Sequence, residues 1–163
     1  VYKRQSGGSD VKRTKRRMTL CTVLLLCNLV FIWGNSLLPA EVSGQISGTL
    51  KALLDGVFTP GEAVPSGGDG LLRKFAHFAE FGTLGLLLGW LFGMLGKKRL
   101  PAFALGVAAA CIDETIQIFV PGRSPGIRDV CIDSCGAAAG MLLLFLGHAY
   151  WKRRFTRNNF RRK

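Results

Sequence analysis

Apolar residues in this chain fall into four long runs separated by short polar or basic stretches, a pattern that predicts helices in lipid rather than a soluble core. Met18 to Leu38 carries no charge over 21 residues. At about 1.5 Å per residue that is enough to cross a hydrocarbon layer of about 30 Å. Phe75 to Gly96, Leu100 to Val120 and Val130 to Trp151 follow, each with its polar residues gathered toward one end. Gly96-Lys97-Lys98-Arg99-Leu100-Pro101 is so short a connection that the second and third spans must be antiparallel neighbours. After the first span, Gln45 to Phe58 sets Ile46, Leu50, Leu53, Leu54, Val57 and Phe58 at helical spacing, with Lys51 and Asp55 elsewhere. This predicts an amphipathic helix, lying on the outer surface or packed on the bundle. Thr59-Pro60-Gly61 and Pro65-Ser66-Gly67-Gly68 then read as turn and loop signals.

Charge adds an orientation. Seventeen of the 22 Lys and Arg residues lie in three clusters, before Met18, at Lys97-Lys98-Arg99 and after Trp151, and only Asp10 among the acids shares them. Nine acids and five basic residues occupy the stretches between. If the basic clusters mark the cytoplasmic side, the chain crosses four times with both ends inside. The expected fold is all-α: a polytopic four-transmembrane-helix bundle with cytoplasmic termini. Its parts are a basic segment over 1–17, the membrane domain over 18–151 with an extracytoplasmic loop over 39–72, and a basic tail over 152–163. A net charge of +12 does not point to nucleic acid, because the basic residues flank apolar spans and lack interleaved stacking aromatics. Anchoring to anionic lipid accounts for them.

Two features of the start affect the reading. Lys12 to Arg17 resembles the basic region of a signal peptide, and Pro39-Ala40 offers a small residue near a cleavage point, but the apolar run is long and predicts an uncleaved helix. Val1-Tyr2-Lys3-Arg4-Gln5 lacks an initiator Met and reads like translated adapter sequence, with true translation beginning upstream or at Met18. Cysteine adds little. Cys21, Cys27 and Cys111 sit in apolar spans as small hydrophobes, and Cys131 with Cys135 has neither zinc-ribbon nor redox spacing. Gly85, Gly89 and Gly93 form one small-residue stripe and Gly136 with Gly140 another, which favours close helix packing within the protomer over a homodimer contact.

Counting along the spans places the polar residues in depth. Glu80 lies 16 residues from Gly96, Asp113 lies 13 from Leu100 and Asp133 lies 18 from Trp151. These correspond to roughly 24, 20 and 27 Å of helix, so all three belong to the outer third of the membrane. Phase adds their neighbours: Arg73, His77 and Glu80 share a face with Lys74 beside it, Asp113 pairs with Gln117, Glu114 is near Gln117, and Asp129 and Asp133 are one turn apart. A carboxylate in lipid costs at least ~2.5 kcal/mol, so these groups are expected to face one another and Arg73, Lys74, Arg123 and Arg128. The pattern predicts a charged pocket open to the outside. Pro121-Gly122-Arg123-Ser124-Pro125-Gly126-Ile127-Arg128 closes it with two Pro-Gly turns that hold both arginines near its mouth.

At this point three ordered blocks resemble the VanZ family: Arg73-Lys74-Phe75-Ala76-His77-Phe78-Ala79-Glu80-Phe81-Gly82, Asp113-Glu114-Thr115-Ile116-Gln117 through Val120-Pro121-Gly122-Arg123, and Arg128-Asp129 with Asp133 and Gly136. The polar segment Asn35-Ser36-Leu37-Leu38-Pro39 through Ser43 and Ser47 is similar to that family as well. Phe81 stands where the family pattern usually has Tyr, so a hydroxyl expected at the pocket edge is missing. The resemblance implies a multi-pass protein of the bacterial cytoplasmic membrane, part of the cell envelope, of a family named for an accessory of glycopeptide (teicoplanin) resistance. It assigns no reaction.

Three function classes fit the pocket. As a binder, the protein takes an amphiphile such as a lipid-linked envelope precursor or a lipoglycopeptide, with Arg123 and Arg128 on phosphate or carboxylate and the acids on hydroxyl, amide or ammonium groups. As a membrane-embedded hydrolase or transferase, it uses His77 with Glu80 or Glu114 as acid and base on a lipid phosphate or acyl group, with Asp113, Asp129 and Asp133 holding a divalent cation such as Mg²⁺. As a purely structural network, the charges only fix helix register. Their number exceeds what register needs, which favours function at the pocket and binding ahead of catalysis. Four short spans without a visible inverted repeat make a transporter the weakest choice.

Overall fold

The computed structural model describes residues 6–58 and 69–160, and its regular structure is helical throughout: α1 (Ser6–Ser36), α2 (Ala40–Phe58), α3 (Asp69–Met94), α4 (Arg99–Ile118) and α5 (Ile127–Phe160). Val1–Gln5 and the turn signals from Thr59 to Gly68 lie outside the described residues, as do the side chains of Leu50, Lys51, Leu54, Asp55, Val57 and Phe58. Among the described residues, four helices are long and apolar enough to cross a membrane, over Val11–Ser36, Gly70–Met94, Arg99–Ile118 and Ile127–Arg154. α1 and α5 run past their apolar stretches into the basic ones because Lys and Arg cost a helix little. α2 starts at Ala40 rather than Gln45. Pro39, which cannot donate, needs no partner for its nitrogen there, and its carbonyl accepts the Ser43 N–H at 3.0 Å to open the helix. α2 packs against α3 and leaves Ile46 and Leu53 exposed.

Burial is inverted relative to a soluble protein. Val30, Phe31, Leu105, Leu142 and Leu143 are exposed, whereas Ser36, Asp113, Glu114, Gln117 and Asp133 are buried. Hydrocarbon solvent explains both halves: a lipid-facing leucine loses nothing, and an aspartate facing lipid would lose its hydration without a partner. The apolar interior gathers around Ile32, Phe81, Leu84, Leu88, Ala102, Ala109, Ala110 and Met141. Phe81 is fully buried in this cluster, so it is a core residue and not part of the pocket edge.

α3 and α5 make the closest pair. A methyl group added at Gly85 would strike the Ala137 backbone, one at Gly136 the Phe78 carbonyl, and one at Gly140 the Gly82 carbonyl. Bare backbone on both sides is what allows this approach. Gly93, part of the sequence stripe, faces open space instead, and Gly82 takes its place in the contact. At the basic end α3 is closed by Gly96, whose φ of 64° is the left-handed conformation glycine adopts without strain. Gly96 N–H donates to Gly93 O at 3.2 Å and Lys97 N–H to Phe92 O at 3.0 Å, a Schellman closure that turns the chain into α4.

Candidate ligand-binding site

The C-terminal ends of α1 and α4 meet the N-terminal ends of α3 and α5 opposite the Lys97–Arg99 turn, and the polar side chains interlock there. Asn35 Nδ2 donates to Glu80 Oε1 at 2.9 Å. Gln117 Nε2 donates to Asp113 Oδ2 at 2.9 Å and reaches Ser36 Oγ at 3.4 Å. Glu114 Oε2 accepts the Gly126 N–H at 2.8 Å, placing a carboxylate at the start of α5, where the helix dipole favours negative charge. Lys74 Nζ lies 3.5 Å from Asp129 Oδ1. His77 Nδ1 stands 3.9 Å from Asp113 Oδ2 and 4.0 Å from Glu80 Oε2, facing both carboxylates but beyond hydrogen-bond distance of either.

Arg123 is oriented away from the expected headgroup position. Its Nε donates to Leu38 O and its Nη2 to Asn35 O, each at 3.1 Å, so the guanidinium closes the C-terminal end of α1, where helix carbonyls lack partners. Burial, and then the neighbouring Arg73 charge, push its pKa below the usual arginine value. Arg128 is exposed on the first turn of α5, outside the lining of the polar pocket. The remaining sequence candidates do come together at this end: Arg73, Lys74, His77, Glu80, Asp113, Glu114, Gln117, Asp129 and Asp133. The cation set does not assemble as expected. Asp129 pairs with Lys74, and the donors that converge are His77, Asp113 and Asp133.

Two spaces adjoin this cluster. Between α3, α4 and α5, a pocket of about 20 Å³ is lined mainly by Arg73, Lys74, His77, Glu114, Asp129 and Asp133. That is close to the room one water needs, about 10–15 Å³ by the same measure, and far below a headgroup. Between α1, α3 and α4 runs an apolar groove of about 240 Å³, lined among others by Leu25, Leu29, Trp33, Leu84, Leu88 and Ala108. Helical phase joins groove and cluster. Leu88, Leu84, Glu80, His77 and Arg73 follow one stripe of α3, Leu105, Ala109, Asp113 and Gln117 one stripe of α4, and Leu25, Leu29, Trp33 and Ser36 one stripe of α1. On each helix the stripe is apolar in the middle of the span and polar at its end.

Asn35 and Ser36 are site residues that sequence reasoning assigned only to a polar segment resembling the family. Their signal was depth, since they end the first span in the same layer as Glu80 and Asp113. The family model for VanZ/LLP1 matches residues 6–148. The chain belongs to the VanZ/LLP1 family. No curated protein and no solved structure matches it. Membership and the four apolar helices together make this a VanZ-like membrane protein, and the charged layer lies within the matched region.

Proposed function

We propose that this VanZ/LLP1 member binds an amphiphile of the outer leaflet, such as a lipid-linked cell-wall precursor or a lipoglycopeptide, with a hydrocarbon chain in the groove and the headgroup over the polar end. The observation that carries this reading is the continuity of the three stripes: apolar lining of the groove leads directly into hydrogen-bonding groups on α1, α3 and α4. Size sets the division of labour. The groove is smaller than the roughly 300 Å³ at which whole-ligand sites begin, so it takes one chain segment, and the polar pocket is too small to enclose a headgroup. A headgroup therefore lies across the cluster, where Arg73 and Lys74 offer positive charge to phosphate or carboxylate. Holding a lipoglycopeptide or its membrane target in this way is the route by which such a protein contributes to teicoplanin resistance. The basic clusters support an outward orientation of the polar end in the cytoplasmic membrane, with both termini inside. Catalysis is less well supported, because His77 makes no hydrogen bond to Glu80 or Asp113 and Glu114 is engaged by Gly126.

Native mass spectrometry of the protein released from lipid nanodiscs tests the reading. Wild type is expected to retain an amphiphile. Ala108→Phe, which places a ring in the groove from an exposed position, is expected to lower retention about tenfold, near 1.4 kcal/mol. Equal retention by a folded Ala108→Phe protein would refute binding in the groove.

A further inference from the structure

We infer that His77, Asp113 and Asp133 form a binding site for a first-row divalent metal ion, with an imidazole nitrogen and two carboxylates as protein ligands. One donor atom from each lies within 4.8 Å of the other two. Donors around a tetrahedral zinc with bonds near 2.0–2.1 Å stand roughly 3.3 Å apart, so small side-chain rotations close the set. Three helices supply the three ligands: α3 carries His77, α4 Asp113 and α5 Asp133. The glycine contact fixes α3 against α5, and α4 is seated on α5 where Gly106 faces Ala137, so the donors rest on packed helices.

Independent observations point to a cation. Asp113 is fully buried, yet its Oδ1 has no hydrogen-bond partner among the described residues, and neither does His77 Nδ1, which faces the carboxylates. No Lys or Arg among the described residues forms a salt bridge with Asp113 or Asp133. Carboxylates are also in excess across the layer: Glu80, Asp113, Glu114, Asp129 and Asp133 outnumber Arg73, Lys74, Arg123 and the exposed Arg128, an imbalance that favours a bound cation. The adjoining pocket of about 20 Å³, which His77 and Asp133 help line, has room for one remaining water on the metal. The nitrogen donor favours Zn²⁺ over Ca²⁺ and Mg²⁺, which select oxygen, and the two carboxylates also admit Mn²⁺. The site stands whether or not the groove takes an amphiphile.

The experiment uses the full chain in lipid nanodiscs, carrying a tag without histidine, stripped with chelator and reloaded with Zn²⁺ or Mn²⁺. Elemental analysis is expected to find about one ion per chain. Asp113→Asn and Asp133→Asn are expected to weaken binding about 10- to 100-fold or more, whereas Glu41→Gln, an exposed carboxylate outside the cluster, leaves it unchanged. A second readout needs no variant: pulsed electron paramagnetic resonance of Mn²⁺-loaded wild type is expected to show nitrogen coupling from the His77 ring. Wild type that holds no ion, equal binding by the Asp variants and Glu41→Gln, or bound Mn²⁺ without nitrogen coupling would each overturn the assignment.

Discussion

Arg123 donates to two carbonyls at the end of α1, and that commitment decides what its removal does. A hydrogen bond from a charged donor contributes about 1.5–3 kcal/mol, so Arg123→Ala is expected to lower stability by roughly 2–3 kcal/mol, seen as a lower thermal midpoint in detergent. Arg123→Lys should not restore it, since a single ammonium cannot reproduce the fixed fork that spans Leu38 O and Asn35 O. A stable Arg123→Ala protein with weakened ligand binding would return this residue to the headgroup. The sequence showed which residues share the layer, because helix rise converts position into depth. It did not show who pairs with whom. Arg123 and Arg128 lie five positions apart, and only the fold of Pro121–Gly126 turns the first toward α1 and leaves the second exposed on the first turn of α5. Asp129 and Asp133 likewise share a helical face, yet Lys74 engages the one and His77 faces the other.

Helix pairing rests on glycine. A methyl group at Gly140 meets the Gly82 carbonyl, and backbone on both sides cannot yield as a flexible side chain would. Gly140→Ala is expected to cost about 3 kcal/mol by overpacking, measured as loss of folded protein in a denaturing-detergent titration. Gly93→Ala, with nothing within 4 Å, is expected to stay within about 1 kcal/mol of wild type. Equal losses at the two positions would remove the close α3–α5 contact from the account. Periodicity found the stripe but not its ends. Gly93 keeps the spacing of Gly85 and Gly89, and only the course of α5 determines that contact stops before it. For α2 the pattern placed the helix and missed its first turn, because Ala40 to Gly44 carries no apolar rhythm and depends on Pro39 for its start.

At the scale of the whole molecule, an exposed apolar exterior and a buried polar end make sense only in lipid, and the four spans were the most legible part of the sequence. The groove was the least. Its lining comes from three helices whose leucines and alanines look like any lipid-facing surface until α1, α3 and α4 are assembled. The proposed orientation rests on the basic turn: Lys97→Cys is expected to resist a membrane-impermeant thiol reagent in intact cells and to react after lysis, judged against a background with the native cysteines replaced. Labelling in intact cells would invert the topology. The central claim is that the polar end and the groove together hold one amphiphile, and photo-crosslinking with a lipid bearing a diazirine in its chain tests it most directly. Adducts are expected to concentrate on Leu29, Trp33, Leu84, Leu105 and Ala108. An even spread over lipid-facing positions such as Val30, Leu142 and Leu143 would contradict it.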